Sequence, residues 1–176
     1  MTEQAKGARS TIVEAFTRLV LAKRDSRPPV ADVLSEAGVA RSTFYEHFDS
    51  RDSLLLEAFR TPLGFVADAA TREEGDAGAE DGLIDILDHL RDYKRGAVDI
   101  LTGPLAPRVV RALAELISDR LPDCAPKPAL HLADIQIGFI RLWLTGETPY
   151  AAHDLARLMI RSAAAQRAIM TGNSSF

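Results

Sequence analysis

Cysteine is almost missing from this chain: Cys124 stands alone, so no internal disulfide can form and an oxidising compartment is disfavoured. Long apolar runs are missing too. The longest, Ile135 to Leu144, is interrupted by Arg141 and falls far short of the ~20 residues that a membrane span needs. The opening stretch MTEQAKGARS lacks the apolar core of a signal peptide, and the expectation is a soluble, cytoplasmic protein. No alternating strand pattern occurs, which leaves an all-α chain. Nucleophile elbow, phosphate-binding glycine loop, paired-cysteine site and HExxH pattern are all absent, so nothing nominates a catalytic residue. Asp85, Asp88, His89 and Asp92 have the spacing of a solvated helix face rather than of a metal site, and His131 and His153 are isolated. Neither a metal nor a cofactor is expected.

Positive charge is also in short supply. The formal net charge of the 176 residues is -4, which is not the balance of a general nucleic-acid binder. Its distribution matters more than its total. Residues 1 to 60 carry nine Lys+Arg and nine Asp+Glu, so the whole of the negative charge lies beyond them. A neutral N-terminal third can still present a basic face if Lys6, Arg9, Arg41 and Arg51 cluster while Glu14, Asp32 and Glu36 point elsewhere.

What the chain does have is ample apolar content, 47%, set at helical spacing. The densest signal is VADVLSEAGVARSTFYEHFDSRDSLLLEAF, Val30 to Phe59. Val30, Val33, Leu34 and Ala37 form a helical stripe, Gly38 supplies the residue most tolerant of positive φ, and a second short helix follows at once. That is a helix-turn-helix. In its second helix, from about Ala40 to Phe48, Phe44 and Phe48 lie four apart on one face and leave Arg41, Ser42, Thr43, Tyr45 and His47 for the others. Such a helix hides two rings and displays hydroxyls and cations, as a major-groove reader must.

These residues resemble the DNA-binding domain of the TetR family of bacterial transcriptional regulators. The resemblance rests on Ala37-Gly38-Val39, on Thr43-Phe44-Tyr45-Glu46-His47-Phe48 and on Arg51-Asp52-Ser53-Leu54-Leu55, and it covers the first third of the chain directly. It implies that Thr43 contacts DNA, that Tyr45 and His47 take phosphate-contacting places, and that Arg51 does so just beyond them. Arg41 and Ser42, at the start of the helix, are placed to reach base edges, and Arg41 suits guanine O6 and N7. Two departures weaken the backbone anchoring. Ala40 stands where many relatives carry a hydroxyl, and Pro28-Pro29 open the preceding helix.

The rest of the chain reads as helices between proline and glycine joints. Residues 1 to 9 read as a frayed arm, with Ser10 or Thr11 capping a first helix in a capping box with Glu14. Its stripe is Ile12, Val13, Phe16, Leu19 and Val20. Arg24 to Pro29 is a loop. Asp49 or Ser50 caps a connecting helix, residues 51–71, which Pro62 ends or kinks. Residues 72–82, acidic and glycine-rich, read as a solvated loop. Helical pattern returns at Leu83, breaks at Gly103-Pro104 and Pro107, and resumes over Val109 to Leu121. Pro122 to Pro128 is a further connection. Ala129 to Thr145 and a last helix to about Met170, with Thr148 as its cap and Pro149 in its first turn, are apolar on nearly every side.

The domain plan is therefore a helix-turn-helix domain over residues 1–50, the connecting helix, the acidic loop and a C-terminal helical bundle over residues 83–176 for ligand binding and dimerisation. A second copy of the chain is expected on Ile135, Phe139, Leu142, Leu155, Leu158 and Met159. The inward apolar and aromatic residues Phe65, Leu87, Leu90, Tyr93, Leu113, Phe139 and Trp143 are candidates for a small-molecule pocket, although any single one of them is more often plain core. The expected function is a ligand-responsive repressor that binds double-stranded operator DNA as a homodimer and is released by a small, mostly apolar effector. The alternative is a helical small-molecule-binding or protein-interaction module that no longer binds DNA.

Overall fold

Proline and glycine punctuate this chain, and helices fill the intervals. In a computed structural model, which describes residues 3–23, 27–121 and 126–172, the described residues form nine helices and no strand. Cys124, most of the Pro122–Pro128 connection, residues 24–26 of the first loop and the side chain of Lys6 lie outside the described residues. No described helix is long and apolar enough to cross a membrane. The chain divides into two units, Met1–Phe59 and Arg60–Phe176.

The first unit holds α1 (Glu3–Lys23), α2 (Val30–Ala37), α3 (Arg41–His47) and the start of α4 (Arg51–Thr71). α1 packs on both α2 and α3 and contributes Ile12, Ala15 and Phe16 to the core. It starts at Glu3, not at a cap on Ser10 or Thr11. Gln4, Ala5, Lys6, Ala8 and Arg9 are good helix formers. The hydroxyls expected to cap lie inside the helix instead: Thr11 Oγ1 donates to the Gly7 carbonyl at 2.8 Å and Ser10 Oγ to Glu14 Oε1 at 2.9 Å. The expected frayed arm is thus helical over its described part.

The first residue of α4 is preceded by a true cap. Ser50 Oγ accepts from the Ser53 N–H, and Ser53 Oγ accepts from the Ser50 N–H, both at 3.1 Å. This is a capping box with serine in both places. Pro62 lies within α4 and does not end it.

The second unit completes α4 and adds α5 (Ala77–Asp92), α6 (Lys94–Thr102), α7 (Ala106–Arg120), α8 (Pro126–Thr145) and α9 (Ala152–Gly172). α8 packs on α7, α6 and α9, and α9 packs on α5, around Leu83, Leu87, Leu101, Leu113, Ile117, Leu132, Ile140 and Leu144. Several boundaries differ from those the sequence suggests: α7 begins at Ala106 rather than Val109, and α8 at Pro126, inside the expected Pro122–Pro128 connection. α5 takes in Ala77–Gly82, read above as loop, because Asp76 Oδ1 caps it on the Ala79 N–H at 3.1 Å. α6 is a separate helix, divided from α5 at Tyr93. α9 begins at Ala152, beyond Thr148 and Pro149, because the Tyr150 carbonyl is taken by the Trp143 indole N–H at 2.8 Å.

The acidic segment before and within α5 is held rather than loose. Arg157 Nε lies 2.9 Å from Glu80 and Arg161 Nε 3.2 Å from Glu74, so two cations of the thin polar stripe on α9 meet two of these acids. Arg167 donates to the carbonyls of Ala70 and Arg72. Gly82 lets a ring approach closely: a Cβ there would meet the exposed Phe65 ring at 2.8 Å, so the ring lies directly on the α5 backbone and would have to shift for any other residue.

Between α2 and α3 the chain turns at Gly38, φ 65° and ψ 31°. Its N–H donates to the Ser35 carbonyl and the Val39 N–H to the Leu34 carbonyl, the paired bonds of a Schellman motif. A Cβ at Gly38 would meet nothing within 4 Å, so the cost of adding one is purely conformational. Gly38→Ala is expected to destabilise the first unit by about 1 kcal/mol, and Gly38→Asn by less. Thermal melts of the whole chain check this, and an unchanged midpoint for the alanine variant contradicts it.

Candidate nucleic-acid interface

α3 is too short to hold itself. It has seven residues, and its N-cap, Ala40, offers no side-chain bond to the free N–H groups of the first turn. Burial holds it. Phe44 is wholly buried, Phe48 nearly so, and their ring centroids lie 5.7 Å apart. The Phe48 N–H closes the last turn on the Phe44 carbonyl at 2.8 Å. α2 is anchored in the same way, by Val33, and it too lacks a side-chain cap, with Pro29 at the N-cap. The proline carbonyl accepts from the N–H groups of Asp32 and Val33, and because Pro29 stands at the N-cap its missing N–H takes nothing from the helix's own bonds.

With both phenyl rings turned inward, the other side of α3 is fixed. Arg41, Ser42 and Tyr45 are exposed, Tyr45 to 49%, whereas Thr43 and His47 are half-buried. The Arg41 guanidinium lies over the Tyr45 ring, 5.6 Å from its centroid, with Nη2 3.4 Å from the phenol oxygen. Arg41 and Tyr45 therefore form one unit on the outer face. Tyr45 also meets the edge of Phe44, with centroids 5.2 Å apart. His47 sits in the last turn of the helix. Glu46 is exposed beside it and places a carboxylate near the same end. Arg51, at the start of α4, donates to the Arg27 carbonyl at 3.3 Å, which ties that helix to the segment entering α2.

The head's neutral balance is resolved by pairing. Arg18 lies 2.9 Å from Glu36, and Arg9 pairs with Glu57. Arg9 and Arg51 are both half-buried, and only Arg41 of the three is exposed; the Arg9 guanidinium also lies 5.2 Å from the Phe48 centroid. Sequence reading missed this role because it placed Arg9 in a frayed arm. With α1 begun at Glu3, Arg9, Ile12 and Phe16 fall on one helix face, and the signal becomes visible.

In the second unit the candidate residues separate. Leu87 and Leu113 are fully buried, Leu90 and Trp143 nearly so, Phe139 and Tyr93 half-buried, and Phe65 is exposed. Tyr93 stacks on His89 at 4.8 Å. Trp143 already spends its indole N–H on the Tyr150 carbonyl. Among the residues expected to meet a second copy, Ile135 and Leu142 are exposed, to 41% and 37%, and Phe139 and Leu158 are half-buried. Leu155 and Met159 are not available to a partner: at 0% and 1% exposure they belong to the unit's own core, on the side of α9 turned towards its neighbours. Gln136, which sequence reading passed over, is fully buried, and its Nε2 reaches the Met159 carbonyl at 3.4 Å, linking α8 to α9.

Comparison with known proteins agrees with this geometry. Residues 27–58, from the approach to α2 into α4, match the family model described as bacterial regulatory proteins, tetR family. No curated protein matches the sequence. The TetR-family repressor AlkX of Dietzia sp., implicated in biodegradation of n-alkanes, has a similar fold: TM-score 0.62 at 22% identity, over 91% of this chain and 95% of that one. A tetR-family regulator from Streptomyces coelicolor aligns with TM-score 0.49 at 17% identity, over 99% and 85%. A TetR regulator from Streptococcus agalactiae aligns with TM-score 0.48 at 22% identity, over 91% and 95%.

Phe44 is the side chain on which α3 depends, so Phe44→Ala is expected to cost ~3–5 kcal/mol. Hydrogen exchange should show α1 to α3 losing protection while α5 to α9 keep theirs. Retained protection in α3 contradicts the assignment.

Proposed function

We propose that this chain is a member of the TetR family of bacterial regulatory proteins and a ligand-responsive repressor that binds a near-palindromic operator as a homodimer. TetR-family regulators bind DNA and are not enzymes. The observation that carries the reading is the outer face of α3, where Arg41, Ser42 and Tyr45 project from a helix whose other side is locked by Phe44 and Phe48.

In this reading Arg41 enters the major groove and pairs with guanine O6 and N7, with Ser42 beside it. Thr43, Tyr45, His47 and Arg51 donate to phosphate oxygens and set the register. Two heads related by a two-fold axis meet successive major grooves, so the half-sites lie about one helical turn, ~34–36 Å, apart. Few phosphate contacts per head make the second copy necessary for useful affinity.

The second copy docks on α8. Ile135, Gly138 and Leu142 share one face, both large residues are exposed, and a Cβ on Gly138 would meet nothing within 4 Å. A glycine inside a helix lowers its stability, and at this position it permits close approach of another helix. The effector is a small, mostly apolar molecule held in the second unit. It releases DNA because it binds more tightly to the conformation that does not fit the operator, since a ligand with equal affinity for both states shifts nothing. Cytoplasmic location follows from the same reading. A module that has lost DNA binding is the second reading, favoured by exposed Glu46 and by two helix starts without side-chain caps.

Arg41→Ala is expected to reduce discrimination at one base pair of each half-site by ~1–3 kcal/mol with dimerisation intact. Binding to duplexes selected from a random-sequence pool measures this, and unchanged discrimination removes Arg41 from the reading. The double variant Ile135→Glu, Leu142→Glu replaces two exposed side chains and is expected to leave the helical content of the chain unchanged while turning dimers into monomers in sedimentation, with a lower melting midpoint that no longer depends on protein concentration. A persistent dimer moves the interface away from α8.

A further inference from the structure

Arg9 stands where three helices of the head converge. It lies on α1, its Nη1 pairs with Glu57 Oε1 on α4, and its guanidinium covers the Phe48 ring at the end of α3. Phe48 packs at a tilt against Phe44, Phe44 meets the edge of Tyr45, and Tyr45 lies under Arg41. A column of contacts therefore runs from the Glu57–Arg9 ion pair through three rings to the exposed guanidinium of Arg41. Each contact is a cation over a ring face, a ring against a ring, or an ion pair, all of which are directional. The ion pair is partly shielded, with side-chain exposures of 38% and 26%.

We infer that Arg9 is a positioning residue for DNA reading: paired with Glu57, it fixes the C-terminal end of α3 through Phe48 and so sets the direction of the groove-facing side chains. The inference rests on the DNA-binding reading above and adds a part to it. α3 has no cap side chain at its first turn, so beyond the burial of Phe44 its direction depends on what holds its far end. A cation whose charge is neutralised by a carboxylate attracts phosphate weakly, and this separates Arg9 from Arg41. Without Arg9 the end of α3 samples positions that do not fit the groove, and apparent affinity falls by the fraction of heads still correctly set.

The sign of the Glu57→Ala effect tests this. Removing a carboxylate from the head favours DNA on charge grounds alone, and it also frees Arg9. If Arg9 is a phosphate contact restrained by Glu57, Glu57→Ala binds more tightly. If Arg9 positions α3, Glu57→Ala binds more weakly, by about three- to tenfold. The probe is a duplex recovered by the wild-type chain from a random-sequence pool, titrated across a salt series with wild type, Glu57→Ala and Arg9→Ala. The expected result is weaker binding by both variants with the wild-type dependence on log salt, together with faster hydrogen exchange at the Phe48 N–H. Tighter binding by Glu57→Ala overturns the inference. So does a salt slope reduced by about 0.9 per head in Arg9→Ala, the mark of a lost phosphate contact. Unchanged exchange at Phe48 in both variants overturns it as well, and that measurement needs no DNA. A wild-type chain that recovers no duplex overturns the DNA-reading function itself, while the Phe48 amide still reports whether Arg9 holds α3.

Discussion

Burial of Phe44 and Phe48 is the constraint on which the head depends. A seven-residue helix without a cap side chain has no stability of its own in water, so α3 exists because its inner face is buried against the head. The same burial decides which residues face out. Four-residue spacing of the two rings fixes the rotation of α3 about its axis, and Arg41, Ser42 and Tyr45 are left on the solvent side. The Gly38 turn then sets where that short helix starts. Folding and presentation are thus one event in this region.

Charge is handled by pairing inside each unit. In the head, Arg9 and Arg18 engage Glu57 and Glu36, and the helix-turn-helix keeps Arg41 on its outer face. In the second unit, Arg120 binds Asp68 at 2.7 Å and also reaches the Leu116 and Gly64 carbonyls, which ties α4 to α7. Arg157 and Arg161 hold Glu80 and Glu74. Individually such partly exposed pairs are worth little, but they assign partners to helices that a uniform apolar core would leave free to slide.

The helix-turn-helix was legible because its determinants are local: a positive-φ glycine, two rings at i and i+4, and turn chemistry that needs no distant partner. The boundaries that misled are those decided by contacts far along the chain or by unexpected caps. Ser10 and Thr11 look like caps until the helix formers before them extend α1. Ala77 to Gly82 look like loop until Asp76 caps them and the Phe65 ring occupies the space that Gly82 leaves open. Thr148 and Pro149 look like a helix start until Trp143 claims the Tyr150 carbonyl. The apolar character of α9 told that it is covered, but periodicity carries no label for what covers it, and so Leu155 and Met159 were assigned to a partner when they lie in the unit's own core. Arg9 was invisible for a related reason: its helical face appears only once α1 is given its true start.

The central claim is that α3 reads DNA as one of a pair. Its most direct test is selection of duplexes from a random-sequence pool by the purified chain, followed by the stoichiometry of the recovered complex across a salt series. The account predicts a near-palindromic consensus with half-sites one helical turn apart, two chains per site, and affinity that falls as salt rises. Recovery of no consensus, with equally weak binding to every duplex at low salt, would contradict it.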